Sequence, residues 1–234
     1  MKITIVGNHC TWTKELSTSY ILGDDTLIDV PQGSFKTLYN DYDLSKIENI
    51  FITHFHSDHF SDIHYVIDIF DKKQDKKLNI LAPKGCKERM VQLFKILEVS
   101  YLEKYLDDNV TFYDCENGKT CKIGKYKIKI YKVTHKNLDA YGFVIDDGKV
   151  KIGFSGDSCM CNSLHKILKH SKAAFIDCAS THINNSHLTV DEVVSLQNEY
   201  KDVLLYPVHF SANSESAAQK TNLTKTFPGQ IIEI

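Results

Sequence analysis

The chain has no surplus of either charge: 28 Lys plus Arg stand against 30 Asp plus Glu in 234 residues, a formal net charge of −2. A protein that holds a polyanion by electrostatics alone carries a strong excess of Lys and Arg, so generic nucleic-acid binding is disfavoured. Long apolar runs are also missing. Stretches such as Val66 to Phe70 are interrupted by acids, and none approaches the roughly 18 residues of a membrane span. The alternating start Lys2-Ile-Thr-Ile-Val6 reads as a strand and lacks the basic head, apolar stretch and small-residue cleavage site of a signal peptide. The expectation is a soluble protein whose mature form starts at Met1. Nor is there a disulfide framework: the seven cysteines are odd in number and irregularly spaced, which predicts reduced thiols and a cytoplasmic location. Cys159-Met-Cys161 is too close a pair for an ordinary zinc knuckle and reads as buried small apolar residues. No repeat, low-complexity tract or linker rich in Pro, Gly and Ser divides the chain, so residues 1–234 are expected to form a single domain.

What is present is a sequence 42% hydrophobic and 25% charged, enough apolar material for a substantial core. Short apolar segments alternate with helical patterns, which favours sheets covered by helices. Strands are predicted over Lys2 to Val6, Ser19 to Gly23, Thr26 to Val30, Asn49 to Thr53, Leu78 to Ala82, Lys125 to Val133, Tyr141 to Asp146, Val150 to Ser155, Ala173 to Asp177 and Val203 to Pro207. Helices are predicted over Phe35 to Tyr39, Asp62 to Phe70, Lys84 to Leu97, Asn162 to His170 and Val190 to Tyr200. Gly23-Asp-Asp25 and Asp146-Asp-Gly-Lys149 sit between apolar runs and predict hairpin turns. Thr189-Val-Asp-Glu192 is a capping box that starts the last of those helices. Two lysine-rich stretches, Asp71 to Lys77 and the strand with Lys125, Lys127 and Lys129, read as solvated faces rather than phosphate tracks.

Eleven histidines exceed what a surface needs, and they cluster near acids. The informative run is His54-Phe-His56-Ser-Asp58-His59, just past a predicted strand. Alternate residues at a strand end still point the same way, so His54 and His56 can reach one metal ion together. A turn would then bring Asp58 and His59 to a neighbouring point. Adjacent imidazoles and a carboxylate would be costly to desolvate together without a cation. Further ligand-type residues follow other predicted strands: His135 after Val133, Asp157 in Gly156-Asp157-Ser158, and His209 after Val208.

This arrangement resembles the metallo-β-lactamase-fold hydrolases, and the likeness runs in order through Leu27-Ile-Asp29, the His54 to His59 motif, His135, Ser155-Gly-Asp157 and His209. The resemblance implies an α/β architecture, an αββα sandwich of two mixed sheets with helices outside and the site at one edge of the groove between them. It implies one metal on His54, His56 and His135, a second on Asp58, His59 and His209, and Asp157 bridging them. Such ligands suit two Zn²⁺ ions, with Mn²⁺ or Fe²⁺ as alternatives, and ions about 3.5–4 Å apart can share a nucleophilic hydroxide. Asp58 could also orient that nucleophile. Asp29 and Thr53 are placed to orient imidazoles or to make ordinary core hydrogen bonds.

Ligand identity narrows the family. Flavo-diiron proteins carry Glu where this chain has His56, and the commonest zinc β-lactamases carry Cys where it has Asp157, so neither oxygen chemistry nor antibiotic hydrolysis is expected. The chain is most similar to the phosphodiesterase branch, ribonuclease Z and its small relatives that cleave cyclic phosphodiesters, through Leu81-Ala-Pro83-Lys-Gly85, Tyr141-Gly-Phe143 and His209-Phe-Ser211. His187-Leu-Thr189 matches a histidine of that branch that binds phosphate or protonates the leaving group, and a loop entering a helix N-terminus is where an anionic oxygen is well received. Departures matter too. Where ribonuclease Z has His-Glu-Ala-Thr this chain has Asp177-Cys-Ala-Ser180, so Cys178 replaces the Glu that assists the proton donor. Ser211-Ala-Asn213 replaces its Arg-Tyr. No Gly- and Lys-rich insertion for gripping tRNA lies between His135 and His209.

The expected function is therefore a dinuclear-metal phosphodiesterase for a small phosphodiester such as a cyclic nucleotide. A bridging hydroxide would attack, His187 would act as general acid, and a homodimer is implied by the likeness. tRNA is disfavoured as substrate. A lactone or thioester hydrolase, a tRNA 3′-processing endonuclease and a non-catalytic metal-binding protein are the alternatives.

Overall fold

The computed structural model describes residues 1–73 and 76–234, leaving Gln74 and Asp75 of the lysine-rich stretch Asp71 to Lys77 outside the described residues. In chain order the first half runs β1 (Lys2–Gly7), β2 (Ser19–Leu22), β3 (Thr26–Ile28), α1 (Ser34–Asp41), β4 (Asn49–Phe51), α2 (Ser57–Phe60), α3 (Ile63–Asp71), β5 (Leu78–Ala82), α4 (Cys86–Ile96), α5 (Glu103–Asn109) and β6 (Val110–Asp114). The second half runs β7 (Thr120–Ile123), β8 (Tyr126–Lys132), β9 (Tyr141–Asp146), β10 (Lys151–Phe154), α6 (Asn162–Lys169), β11 (Ala173–Asp177), α7 (Val190–Glu199), β12 (Leu204–Val208), α8 (Ala212–Ala218) and β13 (Ile231–Glu233). The strands form a seven-stranded sheet in the order β13-β1-β2-β3-β4-β5-β6 and a six-stranded sheet in the order β12-β11-β10-β9-β8-β7. Each is mixed. In the first, β3 to β6 pair in parallel; in the second, β10, β11 and β12 do.

Alternation along the central strands explains the layering. On β5, Ile80 faces the helices α3 and α4 while Leu81 faces the other sheet; on β11, Ala174 and Ile176 face α6 and α7 while Phe175 points between the sheets. Strands buried on both faces read as continuous apolar runs, and the result is the expected αββα sandwich. Between the sheets, Tyr20, Phe154 and Phe175 pack at centroid separations of 5.1–5.2 Å. Full burial of each such ring contributes roughly 1.5–3 kcal/mol, and together they give the site above them an apolar floor. Among the described residues, no helix is long and apolar enough to cross a membrane.

Both predicted hairpin turns connect antiparallel pairs, β2 with β3 and β9 with β10. The predicted capping box at α7 is also formed: Glu192 N donates to Thr189 Oγ1 at 3.1 Å and Thr189 N donates to Glu192 Oε2 at 2.8 Å. The lysine strand alternates as expected, with Lys127 exposed and Ile128 and Ile130 buried, but it begins at Tyr126. Lys125 lies in the preceding turn and pairs with Asp25 at 2.7 Å. Strands β6, β7 and β13 and helices α2, α5 and α8 were not among the predicted elements. Those strands lie at the ends of the two sheets, where partial burial leaves little apolar periodicity to read. Cys159 and Cys161 are half-buried rather than buried, because they sit in the loop leading into α6 and not beneath it.

The loop from β10 into the site turns on Gly156, whose φ of +58° is left-handed. A Cβ built there would lie 2.8 Å from the Tyr141 carbonyl oxygen and 3.1 Å from Thr53 Cβ. Gly156→Ala combines φ strain with a backbone clash and is expected to cost about 2–4 kcal/mol. Denaturant unfolding of the metal-free protein checks this; an unchanged midpoint would contradict it.

Candidate metal centre

The sequence-predicted ligands lie just past strand ends or in the single-turn helix that follows β4, and all come to one edge of the sandwich. His54 follows β4, His56 caps α2, and Asp58 and His59 sit within that single-turn helix. His135, Asp157 and His209 follow β8, β10 and β12. His54, His56, His135 and Asp157 form one group of converging ligand atoms, and Asp58, His59 and His209 form a second, with the atoms of each group within 4.8 Å of one another. Asp157 joins them: its Oδ1 is 3.2 Å from His59 Nε2 and its Oδ2 is 3.2 Å from His209 Nε2 and 3.7 Å from His54 Nε2 and His135 Nε2.

Hydrogen bonds behind the cluster settle which ring nitrogens face it. His59 Nδ1 donates to Asp29 Oδ2 at 2.7 Å, and His135 Nδ1 donates to the Ser186 carbonyl at 2.7 Å. Thr53 donates its hydroxyl hydrogen to Asp29, so its oxygen accepts from His54 Nδ1 at 3.1 Å. Thr18 likewise donates to the His9 carbonyl and accepts from His209 Nδ1 at 3.1 Å. In each ring the outward nitrogen holds the hydrogen, so the Nε2 atoms turn lone pairs inward. His56 points Nδ1 into the same space, 3.0 Å from His54 Nε2 and 3.1 Å from His135 Nε2. A single hydrogen there cannot satisfy both neighbours. His59 Nε2 is buried without a hydrogen-bond partner of acceptable geometry, despite its closeness to Asp157. Converging acceptors with too few donors fit a cation, and N and O ligands suit Zn²⁺ or another divalent transition metal.

Electrostatics agree with that fit. Burial holds the pKa of His54 well below its ordinary value and also lowers those of His56, His135 and His209. Burial alone would raise the Asp157 carboxyl, but the facing His209, His59 and His54 outweigh it and hold it well below the usual carboxylate range. His59 is opposite in sense: burial disfavours its charge, yet Asp157 and Asp29 on either side push it well above the ordinary histidine value. Because its raised pKa makes His59 hold a second proton more tightly than an ordinary imidazole, and a ligand nitrogen must be free of that proton, metal binding is expected to release protons and to strengthen as pH rises. Calorimetric Zn²⁺ titrations in buffers of different ionisation enthalpy measure this. Heats independent of buffer would contradict it.

His187 occupies a different position. Its Nδ1 donates to Asp177 Oδ2 at 2.8 Å and lies 4.0 Å from Asp157 Oδ2, leaving Nε2 as the nitrogen available to a bound molecule. Burial lowers its pKa, but the Asp177 charge and hydrogen bond outweigh this and raise it to about 9. Asp177 is itself fixed, accepting from Ser158 N and Ala179 N at 2.9 Å. Cys178, in the position of the Glu, is fully buried beneath α7, and the carboxylate that His187 meets belongs to the preceding residue, Asp177. Asp177 was missed as a functional residue, although it shares with Asp157 the signal of a carboxylate at a strand end. Thr18 and the Ser186 carbonyl were missed as well, and nothing in the sequence marks them.

A cleft of about 640 Å³ opens over the cluster, lined by Trp12, His56, Asp58, Lys136, Asp157 and His187 among others. Trp12 lies on its wall, whereas Tyr20 is buried between the sheets. Backbone strain gathers here: Asp29, Lys136 and His209 are non-glycine residues with φ of 58°, 52° and 61°. Such conformations persist where the surrounding structure holds them in place.

Known proteins share both fold and sequence with this chain. The crystal structure of the metallo-β-lactamase fold protein YhfI from Bacillus subtilis superposes with a TM-score of 0.80 at 17% identity, covering 99% of each chain. The mitochondrial ribonuclease Z 2 of Schizosaccharomyces pombe is 26% identical over 228 residues, 88% of this chain but 33% of that protein, so the chain spans about a third of that relative's length. The anti-Pycsar protein Apyc1 of Bacillus phage BSP38 is 23% identical over 239 residues, 94% of this chain and 93% of that one. The family model described as anti-Pycsar protein Apyc1 matches residues 1–229. The chain belongs to the anti-Pycsar protein Apyc1 family, within the metallo-β-lactamase fold of metal-dependent hydrolases.

Proposed function

We propose that the chain is a metal-dependent phosphodiesterase acting on a small phosphodiester such as a cyclic nucleotide. The observation that carries this reading is the His187–Asp177 pair beside the ligand cluster, a proton donor held by its own carboxylate where a leaving group would depart. His54, His56 and His135 would hold one divalent ion and Asp58, His59 and His209 a second, with Asp157 serving both. When bound, such ions, most suitably Zn²⁺ with Mn²⁺ or Fe²⁺ as alternatives, supply Lewis acidity that draws in phosphate oxygens and acidifies water. Asp58, lining the cleft, orients the attacking water. His187 gives its Nε2 proton to the departing alkoxide while Asp177 holds the ring and stabilises its charge. Both sheets contribute ligands, which favours treating residues 1–234 as one domain.

Small size of the substrate is favoured by the interval from His135 to His209, which is occupied by β9, β10, α6, β11, α7, β12 and the loops that connect them. The resemblance to the fission yeast ribonuclease Z favours tRNA as the second reading. Purified protein loaded with Zn²⁺ or Mn²⁺ and offered 2′,3′- and 3′,5′-cyclic nucleotides, cyclic dinucleotides, a tRNA precursor and acyl lactones separates the readings. Cleavage of cyclic phosphodiesters is expected; cleavage of the precursor alone, or of lactones alone, would overturn it. A homodimer belongs to the same proposal, and sedimentation velocity checks it.

A further inference from the structure

Trp12 is the single tryptophan of the chain and is 89% exposed. An indole left in water forgoes a large burial gain, and this one is not on a loose end. Its loop is tied at both sides: His9 bridges to Ser17 and Phe210, Gln32 Nε2 donates to Thr11 Oγ1 at 2.6 Å, and Thr13 Oγ1 donates to the Cys10 carbonyl at 3.1 Å. Cys10 N also donates to the Phe210 carbonyl at 2.9 Å, and Phe210 directly follows His209. The loop that carries the indole is therefore held in register with the ligand cluster, with Trp12 on the wall of the cleft that Asp58, Asp157 and His187 also line.

We infer that Trp12 is the platform on which the nucleobase of a nucleotide substrate stacks while its phosphate lies over the cluster, an inference that rests on the phosphodiesterase reading. The cleft's volume of about 640 Å³ falls within the range of small-molecule sites, roughly 300–1,000 Å³. Every base has a π-face, so an aromatic platform gives affinity for nucleosides without choosing one base. Trp12 thus selects nucleotides over base-free phosphodiesters and discriminates weakly among bases.

The single tryptophan makes the test direct. Metal-loaded protein is titrated with AMP and with ribose 5-phosphate while its intrinsic fluorescence is followed, and kcat/KM is measured for 3′,5′-cyclic AMP and for 1-O-methylribose 3′,5′-cyclic phosphate. AMP is expected to quench Trp12 emission and ribose 5-phosphate to leave it unchanged. In Trp12→Ala the preference for the base-containing substrate should fall about 10-fold or more, largely through KM, and Trp12→Phe should restore part of it. An unchanged preference, or a lowered sedimentation coefficient of Trp12→Ala with equal loss on both substrates, would overturn the inference, the latter in favour of a contact with a second copy. Quenching by AMP without turnover of either cyclic phosphate would instead remove the phosphodiesterase reading and leave the platform standing.

Discussion

Asp157→Asn is expected to lower metal-dependent phosphodiester hydrolysis by about a thousandfold or more. The replacement keeps the shape of the side chain and removes its charge, at the one point facing both ligand groups. Asn could still offer one oxygen, but its amide would turn a donor toward His54, His135 and His209 or toward His59, whichever oxygen it replaced. With the charge gone, His59 also loses the largest influence that raises its pKa. Metal content after dialysis should drop below that of the parent protein, while far-UV circular dichroism stays the same because Asp157 lies in a loop rather than in a sheet or helix. Parental activity with full metal content would contradict the role given to this carboxylate.

Asp177→Asn should separate proton donation from metal binding. Asp177 accepts from three donors, Ser158 N, Ala179 N and His187 Nδ1, and an amide has a single acceptor oxygen. With its NH₂ group at the Oδ2 position the amide faces Ser158 N and His187 Nδ1, and with the groups exchanged it faces Ala179 N while His187 keeps an oxygen partner; in both orientations His187 loses the carboxylate charge that favours its protonated ring. With an alkoxide leaving group, as in a cyclic nucleotide, kcat should fall by about 10²–10⁴-fold. With bis-p-nitrophenyl phosphate, whose leaving group departs as an anion near neutral pH without a proton, the loss should be less than about 10-fold. Metal content should stay at the parental level. Equal losses on both substrates would show that Asp177 acts on the fold or the metals and not through His187.

Fold and site were legible to different depths, for physical reasons. The bounds of β5, β9 and β11 match their predicted spans because these strands are apolar on both faces and end abruptly at turns or loops. Strands β6 and β7, half-covered at the sheet ends, and α8, built largely of small and polar residues, carry no such pattern. The cluster was legible because His54, His56, Asp58 and His59 crowd into six residues, and because His135, Asp157 and His209 share the strand-end position. The groups that orient those rings were not. Thr18 reaches His209 across 191 positions, and Ser186 acts through its carbonyl, which every residue possesses. Asp177 was legible in principle as a strand-end carboxylate, but it stands one residue before the position that the Glu of the ribonuclease Z motif occupies.

The most direct measurement is a titration of metal-free protein with Mn²⁺ or Zn²⁺ while hydrolysis of a 3′,5′-cyclic nucleotide is followed. A dinuclear phosphodiesterase predicts no turnover without metal and a rate that rises to a plateau at two equivalents per chain. Turnover that is unaffected by metal, a plateau at one equivalent, or no cleavage of the cyclic nucleotide at any metal loading would contradict it.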